Sequence, residues 1–98
     1  MRAVRLADSA LEDIERQLPP DLAADFKRHD LRPVLEALSE HDELWEDASV
    51  PHGAARRLTI YGRTVAGFHL FGVGDTGDPR EDAIVIYFID IWSDEFPE

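Results

Sequence analysis

The sequence predicts an α+β fold in which a short N-terminal strand and two helices precede a three-stranded antiparallel meander. Three patterns carry this prediction. Residues 83–92 contain one charge and many β-branched and aromatic side chains, which suits a strand covered on both faces and central in its sheet. Residues 56–71 resemble two strands joined by a tight turn. Apart from a few residues at the start, the chain before them has its apolar side chains at helical spacing.

The first strand and the first helix follow from local patterns. Residues 2–6 alternate between the two faces of a short strand. Ser9 and Glu12 have the spacing of a capping box, in which each side chain satisfies a free backbone N–H at the start of a helix. The apolar stripe of this helix consists of Leu11, Ile14 and Leu18. Pro19 and Pro20 then end it.

A second helix is predicted after the two prolines, with Asp21 as its cap. Its apolar stripe contains Leu22, Phe26, Val34, Leu35 and Leu38. Pro33 has no N–H to donate, so we expect this helix to kink or break near Arg32, with Asp30 available as a new cap.

Two segments are predicted to be loops. Residues 41–53 are acidic and end in proline and glycine, and we expect Leu44 and Trp45 to anchor them to the core. Residues 74–82 are rich in glycine and aspartate and are expected to form a long hairpin connection.

The pairing of the hairpin decides which side chains share a face. If Gly62 and Arg63 are the two turn residues, Ile60 lies opposite Val65. The face expected to meet the helices then carries Arg56, Leu58, Ile60, Val65, His69 and Phe71. The opposite face, expected to be open, carries Arg57, Thr59, Tyr61, Thr64, Ala66, Phe68 and Leu70.

Length and composition bound the functional classes. A chain of 98 residues is expected to form a single domain. It has no cysteine, which excludes disulfides, thiolate zinc sites and thiol catalysis. The histidines are scattered, so we predict no metal and no cofactor. Because the N-terminus lacks the apolar stretch of a signal peptide and no apolar run reaches ~20 residues, we expect a cytoplasmic protein without membrane contact.

The net charge of −11 arises from 21 acidic and 10 basic residues. A chain this acidic is repelled by phosphate backbones unless its cations are gathered in one place. The acidity is open to two interpretations, genomic composition combined with solubility, or selection for a basic partner.

Four segments together match one known group of proteins: residues 4–14 (VRLADSALEDI), 53–58 (GAARRL), 62–65 (GRTV) and 83–91 (AIVIYFIDI). Over nearly the whole chain they resemble the RelE/ParE superfamily, the toxins of bacterial type II toxin–antitoxin modules. The resemblance implies a small antiparallel sheet packed by two N-terminal helices. It also implies a cognate antitoxin as partner, and growth inhibition through ribosome-dependent mRNA cleavage or through gyrase.

The chain departs from the nuclease members of that superfamily. Those members carry several lysines and arginines on the open sheet face and a basic or His/Tyr cluster after the last strand. Here the open face retains Arg57, and a shift of one residue would add Arg63. Residues 93–96 (SDEF) follow the last strand. The nuclease residues are therefore largely missing, and the sequence leaves mRNA cleavage open.

Three arginines form the clustered cations of the C-terminal half, namely Arg56, Arg57 and Arg63. They can bind phosphate, and Tyr61 beside them can stack on a base. The same arginines can instead pair with nearby acids, such as residues 81–82, on a solvated face.

His69 and Asp90 are the titratable groups of interest within the predicted strands. The unperturbed pKa of histidine suits a general base, although a lone histidine in an apolar strand also serves as a packing residue. Asp90 requires a hydrogen-bond donor, and Arg5 or Arg57 can supply one; otherwise Asp90 can act as an acid or base.

Trp92 and Phe96 either complete the edge of the core or form a patch for a partner. The predicted catalytic residues are Arg57, Arg63 and His69. The predicted residues for binding a substrate or partner are Arg56, Tyr61, Thr64, Trp92 and Phe96.

A rival prediction is an acidic, non-enzymatic binding protein, such as an immunity protein or inhibitor that covers a basic surface. The net charge and the acidic residues 40–47 favour it. Strong salt dependence of binding to a basic partner would distinguish it from a toxin. The sequence leaves the oligomeric state open.

Overall fold

The computed structural model describes residues 2–41, 43–74 and 83–92 and confirms the α+β class. The helices are α1 (Asp8–Gln17), α2 (Pro20–Asp25), a π-helical segment (Phe26–Leu31), α3 (Arg32–Glu40) and α4 (Leu44–Ala48). The strands are β1 (Ala3–Leu6), β2 (Val50–His52), β3 (Ala55–Tyr61), β4 (Gly67–Val73) and β5 (Ala83–Trp92).

The five strands form one mixed sheet in the order β1-β5-β4-β3-β2. β1 runs parallel to β5, and the other neighbouring pairs are antiparallel. β5 has a strand on each side, as its composition predicted. The prediction that both of its faces are covered was wrong, because the side chains of Tyr87 and Phe88 are 42% and 56% exposed. Of the residues that the structure describes, the helices pack on one face of the sheet and leave the other face uncovered.

The core lies between the helices and this covered face. Leu58 of β3 pairs with Leu70 of β4, and both side chains are buried. Phe26 of the π-helical segment meets Phe68 of β4 edge to face, with ring centroids 4.9 Å apart. The cluster also contains Ala10, Ile14, Ala23, Leu31, Leu38, Trp45, Val65, Ile84, Ile86 and Ile89.

Residues 20–40 form one continuous helical run in which the π-helical segment accommodates Pro33. The N–H of Arg32 donates to the carbonyl of Lys27, five residues back, so the turn before the proline is wide. The irregularity predicted near Arg32 is therefore a π-helical turn, and Asp30 does not cap a new helix. In the described part of the chain, no helix has the length and hydropathy needed to cross a bilayer.

The predicted capping box at Ser9 was wrong. α1 begins at Asp8 with Ala7 as its cap residue, and no side chain caps it. The N–H of Ala7 donates to the carbonyl of Ile86, so the chain turns from β1 into the helix two residues too early for Ser9 to cap it. The Ser9 hydroxyl instead donates to the carbonyl of Tyr87 at 2.5 Å.

The segment predicted as a loop at residues 41–53 contains α4 and the edge strand β2. Trp45 is fully buried, which confirms it as the anchor, and Leu44 is half-buried. The guanidinium of Arg56 holds the connection between α4 and β2, because it donates to Ser49 Oγ at 2.6 Å and to the Ser49 carbonyl at 2.8 Å. Of the other predicted loop, residues 75–82 lie outside the described residues.

The connection between β3 and β4 is longer than the predicted two-residue turn. Tyr61 pairs with Gly67, so residues 62–66 form the connection. The carboxylate of Asp30, which is 5% exposed, accepts backbone N–H groups of the loop. The donors are Arg63 at 3.0 Å, Thr64 at 2.9 Å and Val65 at 3.2 Å. With a two-residue turn, the buried carboxylate would lack these donors and the N–H groups would lack this acceptor.

The longer connection reverses the predicted faces of β4. Phe68 and Leu70, predicted on the open face, belong to the core. His69 and Phe71, predicted to face the helices, share the uncovered face with Thr59 and Arg57, their partners in β3.

Replacing Asp30 by alanine is expected to lower the free energy of unfolding by about 2–4 kcal/mol, because it removes a buried charged acceptor and leaves buried N–H groups unsatisfied. Urea denaturation measures this loss. The matched control is Asp25→Ala, an exposed helical aspartate, which should stay within about 0.5 kcal/mol of the parent. Equal stability of the two variants would contradict the structural role of Asp30.

Candidate functional site

The uncovered side of the sheet, here called the open face, gathers the chemistry-bearing strand residues. It carries Arg57, Thr59 and Tyr61 of β3, His69 and Phe71 of β4, and Phe88, Asp90 and Trp92 of β5. Strand pairing arranges these residues in rows. One row is Thr59–His69–Asp90, and the row beside it is Arg57–Phe71–Phe88.

Five rings form a continuous ladder across the open face. Neighbouring centroids are separated by 6.3 Å for Tyr61 and Trp92, 4.8 Å for Trp92 and His69, 5.9 Å for His69 and Phe71, and 5.0 Å for Phe71 and His52. The side chain of Tyr61 at one end is 81% exposed. Such a row of rings offers stacking surfaces for bases or for apolar groups of a partner.

Gly67 makes room for the indole of Trp92. A Cβ atom at position 67 would lie 2.2 Å from Cζ2 of Trp92, closer than any real contact. The absence of a side chain therefore lets the indole lie across the start of β4, where it reaches both Tyr61 and His69.

His69 occupies the centre of the ladder. Its Nδ1 lies 2.9 Å from the Thr59 hydroxyl, within hydrogen-bond distance. Burial and the nearby Arg57 guanidinium lower the pKa of His69 below its ordinary value of 6.5, whereas the Asp90 carboxylate acts in the opposite direction. The net direction favours the neutral imidazole, which is the form that accepts a proton.

Arg57 brings a positive charge to the open face. Its Nε atom is buried and has no hydrogen-bond partner within the described ranges. Asp90 lies opposite His69 in the sheet. Of the two alternatives left open for Asp90, the ion pair with Arg5 or Arg57 is not formed among the described residues. A guanidinium that no carboxylate neutralises keeps its capacity for an external anion.

The structure brings together some of the predicted site residues and separates others. Arg57, Tyr61, His69 and Trp92 share the open face. Arg56 is tied to the connection between α4 and β2. Arg63 and Thr64 lie in the loop of residues 62–66, where their backbone N–H groups bind Asp30. Phe96 and residues 81–82 lie outside the described residues.

Sequence reasoning missed His52, Phe71 and Phe88 as members of the open face. The signal that could have found Phe71 is the hydrophobicity of β4. Phe68 and Leu70 are large apolar residues two apart, and assigning both to the core would have put His69 and Phe71 on the opposite side.

No protein-family model matches the chain, and searches of curated proteins and of solved structures also find no match.

Two substitutions are expected to move the pKa of His69 in opposite directions. Arg57→Met removes a neighbouring positive charge and should raise it, whereas Asp90→Asn removes a negative charge and should lower it further. Titration of the His69 ring signals by NMR measures both shifts. Arg28→Met, which removes an exposed charge from the helical layer, is the control and should leave the titration unchanged. Shifts of the same sign in the two test variants would contradict this account of the site.

Proposed function

We propose that this chain is a toxin-like component of a bacterial type II toxin–antitoxin module of the RelE/ParE kind, acting on translation through its open face. The observation that carries the proposal is the juxtaposition of Arg57, His69 and the ring ladder on one uncovered sheet surface. The helices cover the opposite surface, as the sequence resemblance implies for this superfamily.

The open face supplies what ribosome-dependent mRNA cleavage requires of a protein surface. A phosphate needs a cation, which Arg57 provides. A base needs a ring to stack on, and Tyr61 and Trp92 offer their faces. A proton must be moved near the scissile bond, and a neutral His69 is suited to accept it.

The distribution of charge allows an acidic chain to bind an anionic target. Asp90 is the single carboxylate among the described strand residues, whereas the same strands carry Arg5, Arg56 and Arg57. The other acidic side chains among the described residues lie in helices and their connections. On the open face, Arg57 therefore meets an anionic target with Asp90 as the single carboxylate among the described strand residues.

The acidic end of the helical layer favours a second candidate function, an acidic binding or immunity protein. Glu40, Glu43 and Asp47 are exposed around the turn between α3 and α4. Such a ridge suits a basic partner surface. A complex whose affinity falls steeply with added salt, and which survives loss of the Arg57 charge, would favour this function over the toxin.

Induced expression in a bacterial host tests the proposed function. The parent chain should arrest growth, and co-expression of the neighbouring reading frame, the expected antitoxin, should restore it. Arg57→Ala should relieve the arrest and abolish cuts seen by primer extension on cellular mRNA, because the phosphate loses its cation. The expected loss is about 100-fold or more in cleavage, the scale of removing one charge-stabilising group.

Arg16→Gln provides the matched control, since this arginine lies in α1 with its side chain 67% exposed, on the helical side of the sheet. It should remain as toxic as the parent. Circular dichroism confirms that both variants fold. Growth arrest without mRNA cuts would redirect the proposal to gyrase, and normal growth with no copurifying partner would overturn the toxin assignment.

A further inference from the structure

The helical layer contains a groove that the open face does not use. It lies between the end of α1 and the helical run of residues 20–40, with a cavity volume of about 680 Å³. Its lining residues are Glu15, Leu18, Pro20, Ala23, Ala24, Lys27, Arg28 and Arg32. A volume of this size falls within the range of ordinary ligand sites.

The lining is cationic although the chain as a whole is strongly acidic. Lys27, Arg28 and Arg32 line the groove together with one carboxylate, that of Glu15. Lys27 Nζ lies 3.6 Å from Glu15 Oε2, and Arg32 Nε lies 3.3 Å from Glu36 Oε2. Both are solvated pairs that exchange readily for other carboxylates. Arg28 is exposed and has no ion pair with any described residue.

The spacing of the cations suits a peptide better than a single small anion. Lys27 and Arg32 lie one π-helical turn apart, because the N–H of Arg32 donates to the carbonyl of Lys27. Their side chains are long and flexible, so the charged ends can lie further apart than the backbones. Alternate residues of an extended chain are about 7 Å apart and point to the same side. Two carboxylates on alternate residues can therefore each reach one of the two cations.

The apolar part of the groove determines what lies between the carboxylates. Leu18 and Pro20 line it near the end of α1, and Ala23 is buried at its base. In an extended segment, the residues between the carboxylates point to the opposite side, towards this apolar part. Small or medium apolar side chains fit there.

We propose that this groove binds an extended acidic segment of a partner protein, in which carboxylate residues alternate with apolar ones. The carboxylates pair with Lys27, Arg28 and Arg32, and the apolar side chains pack on Leu18 and Pro20. This site is separate from the open face and does not rest on the proposed function.

In the test, the ¹⁵N-labelled chain is titrated with the peptide acetyl-Asp-Leu-Asp-Leu-Asp-amide. A final peptide concentration of about 5 mM is enough to detect a Kd of ~1 mM by NMR. The amide signals of Leu18, Ala23, Ala24 and Lys27 should shift. The analogue with asparagine in place of aspartate should bind at least about 5-fold more weakly, since it has lost the charged partners.

Two charge reversals of exposed arginines complete the test. Arg28→Glu should weaken binding of the aspartate peptide by about 5-fold or more, because it places a negative charge in the groove. Arg5→Glu makes the same change of net charge on β1 and should alter binding less than about 2-fold. The proposal is overturned if the groove signals do not shift, if the asparagine peptide binds equally well, or if the two reversals have equal effects.

Discussion

The hydrogen bonds between the Asp30 carboxylate and the loop of residues 62–66 determine which residues form the core and which form the candidate site. They hold a five-residue connection between β3 and β4. With the connection fixed, Phe68 and Leu70 point to the helices and His69 points away from them. Since side chains alternate along a strand, a connection that changed the pairing by one residue would bury His69 and expose Phe68.

Because the helices cover the sheet on one side, the chain has two kinds of surface, the acidic outer side of the helices and the open face of the sheet. The helices use their apolar sides to bury the core, and their outer sides carry most of the acidic residues that the structure describes. The uncovered strands are instead rich in aromatic side chains and arginine, with Asp90 as the carboxylate among their described residues. The open face of this acidic chain is thus aromatic and carries arginine, and the acidic helical side is interrupted by a cationic groove.

Much of the fold was readable from local patterns, because β3, β5 and the helical stripes each depend on neighbours in the sequence. The edge strand β2 could not be predicted in this way, since three residues that include Pro51 give no strand pattern. The register of β4 could not be predicted from local patterns either, because it depends on Asp30, which lies more than thirty residues before the loop. For the same reason Arg57 and Tyr61 were assigned to the correct face, whereas His69, beyond the loop, was not.

The contact between Trp92 and His69 gives this molecule a built-in optical reporter. The chain has two tryptophans, and the other one, Trp45, is fully buried. The Trp92 ring lies tilted against the His69 imidazole, so protonation of His69 places a positive charge beside the indole, and Trp92 also borders the exposed Tyr61 ring. Part of the tryptophan fluorescence of the unlabelled protein therefore depends on pH and on ligand binding at the open face. The buried Trp45 contributes a constant background to it.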